Sequence, residues 1–160
     1  MIYFDLDGVI RDIHRSAFGF GAENQHLWDY RNGNGEDIYD IINKDLSILL
    51  KSCPTPLYQV IQKINKINII TCQPKHWRAN TISWEDRYFP KSDVRLIFVN
   101  HPEEKQNFLG KKDVLIEDYP LFKDYSRIAL VEYPYNKNVA GEMFRIKSAQ
   151  DLCAVLINNN

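Results

Sequence analysis

The chain has 160 residues, of which 44% are hydrophobic and 12% aromatic, which is enough for the core of a single domain. A formal net charge of −1, with scattered basic residues, argues against a nucleic-acid reader and against charge-driven membrane binding. Three widely spread cysteines exclude a disulfide framework or zinc site, and the absence of a membrane-length apolar run or signal peptide predicts a cytoplasmic protein.

Five short apolar runs, with helical patterns between most of them, are typical of a parallel sheet that is covered on both faces. The runs lie at residues 2–4, 67–70, 94–99, 114–116 and 128–131. The predicted fold is therefore an α/β, doubly wound (Rossmann-like) parallel sheet of about five strands. This core comprises residues 1–10 and 55–157, and residues 158–160 are expected to form a frayed tail.

Two helix starts can be predicted from capping residues. Thr55 and Pro56 are expected to open a helix as its N-cap and first-turn proline. Ser148, with Asp151 three residues later, predicts the start of the last helix.

The interval between the first strand and Thr55 is too long for a simple crossover, so residues 11–54 are predicted to form an inserted, mostly helical cap. Its second half, residues 36–51, has apolar residues at helical spacing. Its first half is rich in glycine and aromatic residues. We expect the cap to cover the carboxyl ends of the strands.

Polar side chains follow the predicted strands at their carboxyl ends, where a doubly wound sheet binds its ligands. Gly8, just after the first of these ends, allows a sharp turn without a side chain in the way of a ligand. The polar set comprises Asp5 and Asp7 after the first strand, Thr71 and Cys72 after the second, Lys105 beyond the third, and Glu117 and Asp118 after the fourth.

Each member of this set has an ordinary structural explanation, such as a strand-ending turn, a β-forming threonine or a solvated lysine. All of these polar residues are predicted to lie at the same edge of the sheet, and this shared location favours a functional explanation. Carboxylates from two strands suit Mg²⁺, which prefers oxygen ligands and commonly binds beside a substrate phosphate. A hydroxyl and an ammonium group suit the binding of a phosphoryl group. The four histidines, at positions 14, 26, 76 and 101, lack paired ligand spacing and are expected on the surface or in loops.

The chain resembles the haloacid dehalogenase-like superfamily. The resemblance is carried by FDLDGVI at residues 4–10, IITC at 69–72, Lys105, and LIEDYP at 115–120. It implies that Asp5 is a nucleophile that forms an aspartyl phosphate, and that Asp7 is the general acid and base. It also implies an Mg²⁺ site formed by Asp5, the backbone carbonyl of Asp7, and Asp118, with Glu117 beside it. The phosphate-binding residues that it implies are Leu6, Thr71, Cys72 and Lys105.

Within this superfamily the chain is most similar to the 5'(3')-deoxyribonucleotidases. The similar features are Asp12 after DLDGVI, the Trp28-Asp29 pair, the spacing from Lys105 to LIEDYP, and the segment at residues 131–136. The resemblance implies dephosphorylation of (deoxy)nucleoside 5'- or 3'-monophosphates. Four aromatic residues of the cap are available to stack on a base or to pack the cap on the core, namely Phe18, Phe20, Trp28 and Tyr30.

The sequence departs from the family pattern at three positions. The family commonly has an asparagine four residues after the second acidic position of LIEDYP, whereas this chain has Leu121-Phe122 there, which affects the expected substrate choice and the local loop. Glu117 stands where the family commonly has an aspartate, and metal binding is expected to survive this change. Arg11 stands where a small residue is usual, and we expect it near the hinge of the cap.

Other functions remain open from the sequence. The chain could be a phosphatase acting on a sugar phosphate, a phosphomutase, or a catalytically silent binding protein with this fold. A small phosphorylated partner is favoured over a nucleic-acid polymer, since no basic groove is evident. No membrane partner is expected, and the protein could be a monomer or a homodimer.

Overall fold

The computed structural model describes residues 1–140 and 144–159, and these form an α/β fold around a six-stranded parallel sheet. The strands are β1 (Ile2–Phe4), β2 (Lys66–Cys72), β3 (Asp93–Val99), β4 (Val114–Glu117), β5 (Ile128–Val131) and β6 (Phe144–Ile146). The predicted fold class is confirmed, with one strand more than expected. The additional strand, β6, has only three residues, of which Phe144 is exposed and Arg145 is charged, so it leaves no apolar run in the sequence.

The strands lie in the order β3-β2-β1-β4-β5-β6, and every neighbouring pair is parallel. The chain proceeds from β1 to β3 in one direction and then crosses to β4 on the other side of β1. In open α/β sheets, the point at which the strand order reverses leaves a crevice at the carboxyl ends. Here that crevice lies between β1 and β4, whose register pairs Phe4 with Ile116.

In the described part of the chain, six α-helices accompany the sheet: α1 (Ile13–Phe18), α2 (Ile38–Lys44), α3 (Ser47–Lys51), α4 (Tyr58–Ile61), α5 (Arg78–Tyr88) and α6 (Ala149–Asn158). Short 3₁₀ helices cover Ala22–Asn24, Lys75–Trp77 and Pro102–Phe108. None of the helices among the described residues has the length and apolar character needed to cross a membrane.

The predicted cap of α6 is confirmed, because the Ser148 hydroxyl accepts a hydrogen bond from the Asp151 N–H. The predicted cap at Thr55 is wrong. The Thr55 hydroxyl donates to the Val9 carbonyl, and α4 begins three residues later, at Tyr58. The helix α6 extends through Asn158 into the segment predicted as a tail, and the Asn159 amide donates to the Val155 carbonyl; Asn160 lies outside the described residues.

Alternate residues of the central strands are buried on opposite faces of the sheet, as the period of a strand requires. Phe4 and Ile69 pack on the face that also holds Ile61, Trp84 and Leu152, from α4, α5 and α6. The residues next to them in each strand pack on the other face of the sheet. That face is covered largely by the chain around the 3₁₀ helix Pro102–Phe108 and by the chain after β4. The buried residues there include Tyr3, Ile70, Leu115, Leu109, Phe122 and Tyr125.

Residues 11–54 contain α1, α2 and α3, which share a small core formed by Ile13, Ile42, Leu49 and Trp77. The single helical pattern predicted over residues 36–51 is divided into two helices. The break falls at Asp45, which has extended backbone angles and whose carboxylate accepts the Ser47 N–H. An aspartate that bonds a backbone N–H two residues on competes with a continuous helix, which explains the break.

The two connections between this cap and the sheet lie side by side. The Asp12 N–H donates to the Cys53 carbonyl at 2.8 Å, and the Thr55 N–H donates to the Ile10 carbonyl at 2.8 Å. The chain therefore leaves and re-enters the core at one point, immediately beside the carboxyl end of β1.

Candidate active site

Asp5 and Lys105 form the centre of the candidate site. Asp5 directly follows β1, and its backbone N–H donates to the Ile116 carbonyl of β4, which places it beside the end of that strand. Lys105 lies in the 3₁₀ helix Pro102–Phe108 and is almost completely buried. Its Nζ is 2.8 Å from Asp5 Oδ1 and 2.7 Å from Glu117 Oε2. One ammonium group thus bridges carboxylates from two adjacent strands.

The charges in this cluster are unbalanced. Asp5, Glu117 and Asp118 are all buried, and each has a carboxylate oxygen within 4.8 Å of the others, whereas Lys105 is the cation among them. Burial and the Glu117 charge raise the pKa of Asp5, and burial also raises the pKa of Glu117. Burial followed by the Asp5 charge raises the pKa of Asp118 to about 7. Burial alone would lower the pKa of Lys105, but the Asp5 and Glu117 carboxylates raise it.

Asp118 carries the clearest sign of a missing partner. Its Oδ2 accepts a hydrogen bond from the Tyr135 hydroxyl, whereas its Oδ1 is buried and has no hydrogen-bond partner among the described residues. Buried polar atoms normally have a partner, so an orphaned carboxylate oxygen in an acidic cluster indicates a ligand position. The oxygen donors and the excess negative charge fit a divalent cation such as Mg²⁺.

Glu117 has a different role from its two acidic neighbours. Its Oε1 accepts the backbone N–H groups of Asp118 and Tyr119 at 3.1 and 3.3 Å, and its Oε2 accepts the Lys105 ammonium. Both oxygens are therefore engaged in holding Lys105 and the turn after β4. A metal ion fits best against Asp5 and Asp118, with Glu117 supporting them.

Asp7 lines the same cavity, but its carboxylate is bound to other groups. Arg11 Nε donates to Asp7 Oδ1 at 2.7 Å, and Arg11 Nη2 donates to Asp7 Oδ2 at 3.1 Å. Gln73 Nε2 also donates to Asp7 Oδ2, at 2.6 Å. The expected general acid and base thus lies near Asp5 within a network that the resemblance did not predict.

The residues expected to bind phosphate divide into two groups. Thr71 and Cys72, at the end of β2, line the cavity together with Lys105. The Leu6 N–H donates to Asp5 Oδ1 at 2.7 Å, so it orients the carboxylate. Burial raises the pKa of the Cys72 thiol to about 11, so this side chain lines the cavity as an uncharged thiol and is not suited to act as a nucleophile.

The cavity has a volume of about 230 Å³ and is closed on one side by the cap. Of the four cap aromatics singled out from the sequence, Phe18, Trp28 and Tyr30 line it. Phe20 does not, and packs against Phe18 and Tyr30 with ring centroids 5.8 and 5.3 Å apart. Trp28 lies 5.4 Å from the Tyr119 ring and 5.3 Å from the Tyr135 ring, which joins the cap to the part of the site that holds Asp118.

His14 and Tyr135 are among the residues at the site that were not predicted from the sequence. His14 was expected on the surface or in a loop, but it is buried in α1, lines the cavity, and is hydrogen-bonded through Nδ1 to Gln25 Oε1 at 2.7 Å. Tyr135 lies in the segment at residues 131–136, which was noted only for its resemblance to a family element. Its neighbour Asn136 donates to the carbonyls of Asp118 and Val131, and so holds this segment against the end of β4.

No protein-family model matches the chain, and a search of curated proteins finds no match either. The chemistry of the site must therefore be inferred from its own residues and geometry.

Proposed function

We propose that the chain is a Mg²⁺-dependent phosphomonoesterase of the haloacid dehalogenase-like superfamily, with Asp5 as the nucleophile. The observation that carries the proposal is the buried cluster at the switch point of the sheet. A carboxylate held by Lys105 and a neighbouring carboxylate with an orphaned oxygen face one cavity. With a divalent cation offsetting the excess negative charge, such a cluster, shielded from water, would suit a phosphate ester.

In the first step, Asp5 would attack the phosphorus atom of a bound phosphate ester. Asp5 Oδ1 accepts hydrogen bonds from Lys105 and the Leu6 N–H, which leaves Oδ2 as the attacking oxygen. A bond forms between Oδ2 and phosphorus as the bond to the leaving oxygen breaks. The leaving alcohol takes a proton from Asp7, and Lys105 and Thr71 hold the phosphoryl oxygens.

In the second step, a water molecule attacks the phosphorus of the aspartyl phosphate and gives its proton to Asp7. The bond from phosphorus to Asp5 breaks, phosphate leaves, and the Asp5 carboxylate is regenerated. Mg²⁺ held by Asp5 and Asp118 would neutralise the charge on the transferred phosphoryl group.

The substrate proposed here is a small aromatic phosphate ester, in particular a (deoxy)nucleoside 5'- or 3'-monophosphate. The cap contributes Trp28, Tyr30 and Phe18 to the lining of the cavity that Asp5 also borders, and a base could stack on these rings. A cavity of about 230 Å³ that is roofed by the cap favours a single small molecule over a polymer. A sugar phosphate would leave these aromatic faces without a partner.

The direct test measures phosphate release from a panel of nucleoside monophosphates, in 5', 3', ribo and deoxy forms, beside sugar phosphates and p-nitrophenyl phosphate. Asp5→Asn should abolish release while the thermal midpoint shows a folded protein. Asp93→Asn is the matched control, because Asp93 is exposed at the amino end of β3. Absence of phosphate release by the wild type would refute the phosphatase, and an equal rate on every substrate would refute only the nucleotide preference.

One observation favours a second candidate, a phosphate-binding protein without turnover. Both Asp7 oxygens are occupied by Arg11 and Gln73, which is unusual for a group that must exchange a proton with substrate. This candidate predicts that nucleoside monophosphates bind to the wild type in calorimetry and are recovered unchanged.

A further inference from the structure

Arg11 belongs to a closed ring of polar side chains, in which Arg11, Gln73 and Thr81 are buried and Asp7 is partly exposed to the cavity. Its guanidinium binds both oxygens of Asp7 and lies 3.3 Å from the Thr81 hydroxyl through each of its Nη atoms. The Thr81 hydroxyl donates to Gln73 Oε1 at 2.8 Å, and Gln73 Nε2 returns to Asp7. The ring thus joins the end of β1, the end of β2 and α5 through polar contacts alone.

The same guanidinium also contacts the cap. Arg11 Nη1 donates to the Leu49 carbonyl of α3 at 3.1 Å, and the guanidinium lies 5.4 Å from the centre of the Trp84 ring. The Arg11 backbone belongs to the first of the two cap connections and forms an isolated bridge with Pro54 of the second. Arg11 is therefore the side chain that contacts Asp7, the cap and the core helix α5 at once.

Full burial of an arginine requires an explanation, because desolvation of an ion pair opposes its Coulombic attraction. The Arg11 side chain has no exposed surface, although it belongs to a connecting segment where an apolar residue would be easier to bury. Its planar fork matches the two oxygens of a carboxylate, which a lysine cannot do. The geometry thus fixes the orientation of the Asp7 carboxylate.

We propose that Arg11 is a positioning residue, which sets the orientation of Asp7 towards Asp5 and links that orientation to the docking of the cap on the core. This inference rests on the proposed phosphatase function. Arg11 itself does not contact the reacting atoms. When α3 is docked, its Leu49 carbonyl holds the guanidinium, and the guanidinium holds Asp7 at the cavity wall. A cap displaced from the core removes that contact, so the guanidinium, and with it the Asp7 carboxylate, is held less firmly.

The test compares kcat/KM for two substrates with different leaving groups, since this ratio reports the step in which Asp7 protonates the leaving oxygen. A nucleoside 5'-monophosphate needs that proton, whereas the leaving group of p-nitrophenyl phosphate departs without one. Arg11→Lys should lower kcat/KM on the nucleotide by about 100-fold, the usual scale of general-acid catalysis, and on p-nitrophenyl phosphate by less than about fivefold.

Arg87→Lys is the matched control, because Arg87 is exposed on α5 and donates to the neighbouring Leu50 carbonyl without touching Asp7. Arg87→Lys should leave kcat/KM unchanged for both the nucleoside monophosphate and p-nitrophenyl phosphate. Gln73→Met covers the case in which Arg11→Lys does not fold, as judged by its thermal midpoint. It removes the other donor to Asp7, and it should produce the same selective loss, of about tenfold.

Equal losses on the two substrates in a folded variant would show that Arg11 is only structural, and unchanged ratios in both variants would show that it has no part in catalysis. Either result overturns the inference and leaves the phosphatase intact. A wild type that releases phosphate from neither substrate refutes the proposed function, and the role of Arg11 with it.

Discussion

Gly8 lies directly against the carboxylate of Asp118. A Cβ atom at position 8 would be 2.2 Å from Asp118 Oδ2, and the backbone there has a φ of +86°, in the left-handed region. The Gly8 carbonyl also accepts the Tyr133 hydroxyl at 2.7 Å, so the turn cannot easily move away. The glycine of the DLDG segment therefore creates the space that Asp118 occupies.

Gly8→Ala should abolish activity, because the added methyl group displaces the Asp118 carboxylate. Gly19→Ala is the matched control, since Gly19 has a φ of +80° and open space where a methyl group would lie. Both variants should lose about 1–2 kcal/mol of unfolding free energy from backbone strain, measured by urea denaturation. The Gly8 variant should lose more, and it alone should lose Mg²⁺ binding. Normal activity of Gly8→Ala would contradict this placement of Asp118.

Mg²⁺ should stabilise the protein against heat, because the site proposed for it is a carboxylate cluster that the unfolded chain does not assemble. At a concentration 100 times its Kd, the expected gain is about 2.7 kcal/mol. Asp118→Asn should reduce this gain strongly, and chelation by EDTA should remove it from the wild type. Thermal denaturation with and without the ion is the measurement.

Asp124→Asn is the control for this experiment, because Asp124 is an exposed residue of the chain after β4 and its carboxylate accepts hydrogen bonds from the nearby Ser126. Its response to Mg²⁺ should equal that of the wild type. An equal response in the Asp118 variant would show that the ion binds elsewhere.

His14 should make the stability of the protein fall on mild acidification. Burial lowers the pKa of His14 from its ordinary value of 6.5, so the unfolded chain binds the proton more readily than the folded one. Stability should therefore decrease as the pH falls below about 6.5 and level off below the folded pKa. His14→Gln should remove this part of the pH dependence, measured by urea denaturation between pH 5 and 8.

The same substitution at His26, which is exposed in the cap, should leave the slope unchanged. An identical pH dependence in the wild type and His14→Gln would mean that His14 is not buried in a neutral form.

Trp28 and Phe20 should differ in their effect on substrate binding. Trp28→Ala removes a ring from the cavity wall, so it should raise KM for nucleoside monophosphates by about tenfold, as expected for one lost stacking contact. Phe20→Ala removes a ring that packs on Phe18 and Tyr30 outside the cavity lining, and it should lower stability with little change in KM. The reverse pattern would place the base elsewhere in the cap.

The location of the site could be predicted from the sequence, because parallel strands bring their carboxyl ends to one edge. Asp5, Lys105 and Glu117 follow three separate apolar runs, and the structure brings them within hydrogen-bonding distance. Local chemistry was equally informative at Ser148, whose partner Asp151 lies only three residues away. Predictions of this kind depend on spacing or on a general property of the sheet.

The remaining features depend on partners that no local pattern reveals. The burial of His14 depends on Gln25, which is brought to it by the irregular chain of the cap. The Arg11 guanidinium bonds to Thr81, which is 70 residues away in sequence. The sequence therefore predicted only that Arg11 would lie near the hinge of the cap, and not which groups it would contact. Residues of the cap contact one another across irregular loops. Loops lack the regular hydrophobic repeat of a helix or a strand, so their contacts cannot be inferred from the sequence pattern.

The pairing of β1 with β4 has a consequence for how the protein acquires its activity. Ile2 pairs with Val114, so β1 waits for β4 to be made before the sheet can close around it. Long-range parallel pairing of this kind is slow, since the intervening chain must be ordered first. Asp5 is made before β2 and β3, whereas Glu117 and Asp118 join it only after the chain through β4 has been made. A nascent or truncated chain that lacks β4 should thus be inert, which ties the proposed chemistry to the pairing of β1 with β4.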